Sequence, residues 1–205
     1  DIVRIDEKGG FLYFAASPDK ATQKYLFRIK MDGKSKPVKL SPAAQAGTHD
    51  YQVSPNGKFA FHKFSNHKTA DLEEWISLPD HKGLRGQNLV ENAISKSSRE
   101  NSPVEYFTVK TADGIEMDGW MVKPLNFDPA KKYPVVFYVY SEPAGQTVTD
   151  RYGNTSNFLY RGDMSQDGYF YISMDNRGTP AAKGKDWRKS IYRKIGIVNI
   201  RDQAM

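Results

Sequence analysis

Lys132-Tyr133-Pro134-Val135-Val136-Phe137-Tyr138-Val139-Tyr140-Ser141-Glu142-Pro143-Ala144-Gly145 reads as an apolar strand that ends in a turn rich in Pro and Gly. A second run of the same kind follows: Gly168-Tyr169-Phe170-Tyr171-Ile172-Ser173-Met174-Asp175-Asn176-Arg177-Gly178-Thr179. Strands of this composition are expected to be buried on both faces, as in a parallel sheet between helices. In open α/β sheets the functional loops lie at the carboxyl ends of such strands. Beyond them the chain holds further helical segments, and no G-x-S-x-G nucleophile turn occurs anywhere in it.

Working outward, residues 104–110 and 115–123 are expected to be two strands of a hairpin around Asp113-Gly114. A loop at 124–132 leads to the strand at 135–140, and a long loop covers 141–154. Residues 156–166 read as a helix stopped by Gly168, and 169–175 as the second buried strand. Helices are expected at 187–194 and from 198 to 205. Hairpin, strand, helix, strand, helix is how a mixed α/β sheet begins. The polar run 92–101, with Ser95, Ser97 and Ser98, reads as a linker, which divides the chain into domains at 1–95 and 96–205.

The first domain carries a faint internal repeat. Gly10-Phe11-Leu12-Tyr13-Phe14-Ala15-Ala16-Ser17 lies over Lys58-Phe59-Ala60-Phe61-His62-Lys63-Phe64-Ser65 at an offset of 48, which also sets Phe27 on Trp75 and Asp32 on Asp80. Each repeat reads as a strand, a loop, a second strand, a turn and a short strand. Asp32-Gly33 and Asn56-Gly57 are hairpin turns, because these residues tolerate positive φ. A period in the forties with several short strands is the signature of propeller blades. Two blades cannot close a ring, so more are expected upstream of Asp1. The chain opens on Asp1 in a strand-like run, with no signal peptide, as though cut from something longer.

The 205 residues are 39% hydrophobic, 26% charged and 13% aromatic, an ordinary globular composition leaning toward β structure. The net charge of +6 is scattered, and its densest stretch, 183–193, reads as a solvated helix face rather than a nucleic-acid site. There is no Cys, which excludes disulfides, thiolate catalysis and Cys-ligated zinc. No apolar stretch approaches the roughly 20 residues that span a bilayer. Composition does not fix the compartment; an exported parent, periplasmic or secreted, is one reading.

Several separated pieces stand in a recognisable order: Thr111-Ala112-Asp113-Gly114, Gly119-Trp120-Met121-Val122-Lys123-Pro124, Lys131-Lys132-Tyr133-Pro134, Val139-Tyr140-Ser141-Glu142-Pro143, Asp175-Asn176-Arg177-Gly178-Thr179, and Gly196 through Asp202-Gln203. Together they resemble the opening of the α/β-hydrolase domain of the prolyl oligopeptidase family of serine peptidases, and most closely its dipeptidyl peptidase IV branch. The Ser54-Pro55-Asn56-Gly57 turn resembles one common in the propeller blades of such peptidases. The resemblance implies a mixed, β-rich fold: about two C-terminal blades of a β-propeller (1–95), then the N-terminal portion of an α/β-hydrolase sheet (96–205), truncated before the nucleophile. It implies a parent that releases N-terminal dipeptides from a peptide substrate through an acyl-enzyme, with no cofactor.

In that family a Tyr on the loop after the third hydrolase strand donates its hydroxyl to the oxyanion, and Tyr140 occupies that position. One such donor is typically worth about 2.7–4 kcal/mol. Where the family usually carries Gly-Gly or Ala-Gly after this Tyr, Ser141-Glu142 precede Pro143 here, and Glu142 either opposes the developing charge or points to solvent. Nucleophile, acid and base are expected to lie outside this chain; His49, His62, His67 and His81 all precede the hydrolase half. The chain alone is therefore expected to be inactive against dipeptidyl chromogenic substrates. Its strand at 135–140 is expected to leave an open apolar edge, covered by continuing polypeptide or by a second copy. Two rival readings stay open: a non-catalytic propeller-derived binding scaffold, and an esterase-type α/β-hydrolase fused to a propeller.

Weaker signals have plainer readings. His62 and His67 near Asp71 match no metal template and read as packing or surface residues. Asp32-Gly33-Lys34-Ser35 lacks the first glycine of a phosphate loop, since Arg28 stands there. Arg161-Gly162-Asp163 matches an adhesion tripeptide by chance, and Asn154-Thr155-Ser156 is a formal glycosylation acceptor. Arg177 reads as a loop anchor pairing with Asp175 or another carboxylate.

Overall fold

The computed structural model describes residues 1–96 and 104–205. They fall into two compact units, the first holding residues up to 96 together with Asp150–Tyr152, the second holding 104–149 and 153–205.

In the first unit, β1 (Ile2–Asp6), β2 (Phe11–Ala16), β3 (Tyr25–Lys30) and β4 (Val38–Lys39) form a four-stranded antiparallel sheet in chain order. A second such sheet follows from β5 (Thr48–Val53), β6 (Phe59–Asn66), β7 (Thr69–Ser77) and β8 (Lys82–Gly83), and the helix α1 (Leu89–Lys96) comes after it. The repeat expected at an offset of 48 sets β2 on β6 and β3 on β7. β1 lies in the strand-like run at Asp1, but β5 was missed, because Thr-His-Asp-Tyr-Gln-Val carries too few apolar residues to show a period of two. Asn56-Gly57 makes its turn with Gly57 at φ 63°, while the Asn56 side chain accepts from Lys58 N and the Ser54 hydroxyl accepts from Phe59 N. At Asp32-Gly33 the Asp32 carboxylate accepts from Lys34 N, Ser35 N and the Ser35 hydroxyl, which hold it down at about 2. Tyr13, Leu26, Leu40, Val53, Ala60, Ile76 and Leu78 make one core. The expected linker begins as helix, since α1 runs to Lys96; its remainder, 97–101, lies outside the described residues.

In the second unit, β9 (Val104–Lys110) and β10 (Glu116–Val122) form the expected hairpin around Asp113-Gly114. With β11 (Val135–Tyr138) and β12 (Phe170–Met174) they make a sheet in the order β11-β12-β10-β9, in which β11 and β12 run parallel and the other pairs antiparallel. Alternation along β10 sends Met117 to a cluster with Ala181 and Trp187, and Trp120 and Val122 to one with Val148 and Tyr171. Two short helices, α2 (Gly184–Lys189) and α3 (Val198–Gln203), follow.

Three expectations give way here. Residues 156–166 are a series of turns, not a helix. Asn157 Oδ1 accepts from Leu159 N, and Asp163 Oδ1 accepts from Ser165 N and Gln166 N, so local side-chain bonds replace helical ones. The expected 187–194 helix starts at Gly184 and stops at Lys189. Finally, β11, which lies at the sheet edge expected for it, is not buried on both faces: it ends at Tyr138, and Phe137 is 57% exposed.

Gly119 in β10 lies directly opposite Phe107 of β9, whose ring covers the space a Cβ would need. Gly119→Ala should therefore cost about 1–3 kcal/mol by overpacking. A denaturation midpoint equal to that of the parent chain would contradict this.

Candidate functional site

Because β11 and β12 are parallel and in register from Val135 opposite Phe170 to Tyr138 opposite Ser173, their carboxyl ends emerge at one rim. The loop Val139-Tyr140-Ser141 leaves one strand there and Asp175-Asn176-Arg177 leaves the other. The Ser173 hydroxyl donates to the Tyr138 carbonyl at 2.7 Å, tying the two exits together.

Tyr140 is 40% exposed on this rim. Its ring lies over Gly145, where an added Cβ would stand 2.8 Å from Cε1, so only glycine leaves the seat free. Ser141, next in the chain, is left-handed at φ 56°, a conformation that costs a non-glycine residue about 1–2 kcal/mol. Its surroundings hold it there. Asn176 Nδ2 donates to the Ser141 carbonyl at 3.3 Å and Asn199 Nδ2 to its hydroxyl at 3.2 Å. Gln203 Nε2 donates to Asn176 Oδ1 at 3.0 Å and to the Met174 carbonyl at 2.8 Å, which orients the Asn176 amide. The Arg188 guanidinium caps the Pro143 carbonyl at 3.1 Å. Backbone strain held by converging side chains is characteristic of functional loops. Glu142 is exposed.

Three carboxylates fix the rim from beneath. Asp175 accepts from Thr147 N, the Thr147 hydroxyl and Val148 N, and burial pushes its carboxyl up. Arg177 does not pair with Asp175. It forks onto Asp202, with Nε at 2.9 Å and Nη2 at 2.6 Å, and reaches Asp113 through Nη1 at 2.6 Å. The Arg177 guanidinium, with the Thr111 hydroxyl, holds Asp113 down at about 2. Arg177 is thus a structural anchor that locks the β12 exit to α3 and to the β9–β10 turn.

A second constellation, missed by sequence reasoning, lies in the first unit. Register places Tyr51 opposite His62 and His62 opposite Glu74, so three strands present them on one face. His62 Nδ1 meets Glu74 Oε1 at 3.0 Å, and His62 Nε2 meets His49 Nδ1 at 2.9 Å. His49 Nε2 meets the Gln45 carbonyl at 2.7 Å, and the Tyr51 hydroxyl meets His81 Nε2 at 2.8 Å. The only sequence signal was the alternation that turns His62 inward beside Ala60 and Phe64. His67 is elsewhere, on Asp150 at 2.8 Å, and Asp71 is exposed, so the grouping of His62, His67 and Asp71 does not form.

Burial, with His62 beside it, pulls the His49 imidazole down to about 3; the same two causes pull His81 down to about 4. An unfolded His titrates near 6.5. With folded values below unfolded ones, the stability these rings allow is complete above about pH 6.5 and is lost as pH falls toward about 4. For His49 alone the linkage reaches roughly 3 kcal/mol at pH 4. Hydrogen exchange of the β5 and β6 amides should accelerate across that window, and protection that stays flat would refute the assignment.

Comparison with known proteins bears on both halves. Residues 1–70 match the family model of the dipeptidyl peptidase IV (DPP IV) N-terminal region. A crystal structure of Porphyromonas gingivalis dipeptidyl peptidase 4 superimposes on 99% of the chain with a TM-score of 0.78 at 26% identity. The chain fits the dipeptidyl peptidase IV branch. It covers 28% of that Porphyromonas chain. A second solved structure, from Bacteroides ovatus, shares the fold with a TM-score of 0.74 at 24% identity. Among curated relatives, a protein named "Probable dipeptidyl-aminopeptidase B" from Arthroderma otae is 27% identical over 201 residues, and one of the same name from Ajellomyces capsulatus (strain NAm1 / WU24) is 28% identical over 210. Each alignment covers 97% of the chain and 21% of the relative, so the chain spans about a fifth of the length of these curated relatives.

Proposed function

We propose that this chain works within a serine-type dipeptidyl peptidase, in which the Tyr140 hydroxyl is one donor of the oxyanion site. On this reading residues 1–95 are two blades of a β-propeller, and residues 96–205 open the α/β-hydrolase domain. A serine supplied from elsewhere in the enzyme attacks the scissile carbonyl carbon. The carbonyl oxygen takes up negative charge, and the phenol O–H, held at the rim, donates to it. The acyl-enzyme then yields the N-terminal dipeptide on hydrolysis.

The observation that supports this most is the placement of Tyr140. It follows a parallel strand at its carboxyl-end rim, and its neighbour Ser141 is pinned by two amides from separate segments. The exposure of Glu142 weighs against a carboxylate aimed at the developing charge, and so against the scaffold reading.

The test is release of dipeptides from a dipeptidyl chromogenic substrate by a protein of the relatives' length that carries this chain. Turnover abolished by a serine-directed phosphonate is expected. The 205-residue chain assayed alongside should be inactive, since it holds no G-x-S-x-G turn. Ester hydrolysis without peptide release would favour the esterase reading and contradict ours.

A further inference from the structure

We propose that His62, Glu74 and His81 form a binding site for one divalent transition-metal ion, with zinc the best fitted. Each residue offers one ligand atom, and the three atoms lie within 4.8 Å of one another. Two imidazoles and a carboxylate with a fourth position open are a donor set that zinc takes readily.

Hydrogen-bond accounting points to a cation here. The Gln45 carbonyl can only accept, so His49 donates to it from Nε2 and, as a neutral ring, presents Nδ1 as an acceptor. His62 must then donate from Nε2 to His49 Nδ1. A neutral His62 has no second N–H, so its Nδ1 lone pair faces the Glu74 carboxylate 3.0 Å away. Two acceptors in contact need a positive centre between them. A proton can serve, and so can a metal ion. A ligating His that donates its other N–H to a fixed partner is the usual outer-shell arrangement around a protein-bound metal. The His62 to His49 to Gln45 chain has that form already.

The surroundings suit the ion. His62 is fully buried and Glu74 buried, so bulk water does not compete for them. Val90 N donates to the other Glu74 oxygen at 3.3 Å, and the Tyr51 ring stacks on His62 with centroids 4.6 Å apart. The His81 ring stands edge-on to His62 with centroids 4.8 Å apart, and its backbone is left-handed at φ 52°, the kind of strain that accumulates at binding sites. Zinc–nitrogen bonds of about 2.0–2.1 Å set tetrahedral ligand atoms roughly 3.4 Å apart, so closure asks ligand atoms now within 4.8 Å of one another to approach by about 1.5 Å at most.

The experiment is calorimetric titration of the tag-free, chelator-stripped chain with zinc chloride, paired with the visible spectrum of the cobalt(II)-loaded chain. One ion per chain, intense tetrahedral cobalt bands and a raised melting temperature are expected. His81→Ala should weaken binding at least tenfold, and Glu74→Gln should do the same in a shape-matched side chain. His81→Asn, which tolerates the left-handed backbone, gives a folded variant if alanine does not. His67→Ala should leave binding unchanged. Absence of saturable binding, binding that survives loss of His81 and of the Glu74 charge, or binding lost in His67→Ala alone would each overturn the proposal.

Discussion

Arg177→Ala lowers the stability of the second unit by about 3–5 kcal/mol, the usual cost of breaking a buried pair by removing one partner. Asp202 is fully buried and receives Nε, Nη2 and the backbone N–H of Arg177. Alanine leaves only the backbone donor, and a carboxylate without its counter-charge inside a packed site. Arg201 is a poor substitute, 3.7 Å from Asp202 and more than half exposed. The contrast lies in Asp113, the other carboxylate of the fork, half of whose side chain is in water. Asp113→Asn should cost far less than Arg177→Ala, because exposed ion pairs are screened by water. Tryptophan fluorescence in urea reads this well, because Trp120 and Trp187 are buried in the second unit and Trp75, in the first, is 60% exposed. Equal losses for the two variants would show that burial does not set the strength of this anchor.

Tyr140→Phe in an active protein of the relatives' length lowers kcat by about 100- to 1,000-fold and leaves KM nearly unchanged. Phenylalanine keeps the ring over Gly145 and removes only the hydroxyl. On the proposed role the lost interaction is one made with the oxyanion and not with the ground-state carbonyl, so it appears in kcat, at about 2.7–4 kcal/mol for a single donor. Steady-state kinetics on a dipeptidyl chromogenic substrate measures both constants. A rise in KM with kcat intact would assign Tyr140 to substrate binding instead. A companion Ser141→Pro change, which cannot take φ 56°, should also lower kcat by displacing the loop.

Much of the second unit was legible in the sequence because its signals are local. Asp113-Gly114 punctuates the β9–β10 hairpin, and Phe170 to Met174 is an apolar run with a turn on each side. The offset of 48 matched β2 to β6 because both strands carry aromatic residues in alternation. Most of what escaped depends on distance along the chain. β11 lies at the sheet edge as expected, but its residues also read as buried on both faces, and Phe137 is 57% exposed because burial depends on what packs over each face. The turns at 156–166 escaped because helical spacing says nothing of the Asx bonds from Asn157 and Asp163. At the candidate site, Tyr140 is legible only through the resemblance carried by Val139-Tyr140-Ser141-Glu142-Pro143 and its flanking motifs, since the residues alone read as an aromatic strand end. The left-handed Ser141 could not, since the amides that hold it come from positions 176 and 199. The histidine cluster was hidden for the same reason: it exists only once three strands are placed in register.

The account turns on where the Tyr140 hydroxyl points when charge develops. The most direct measurement is a crystal structure of a protein of the relatives' length carrying this chain, trapped as the tetrahedral adduct of a serine-directed phosphonate. The account predicts Tyr140 Oη at about 2.7–3.1 Å from the adduct's oxyanion oxygen. An adduct whose oxygen is held by other donors, with the Tyr140 ring turned out to solvent, would contradict it.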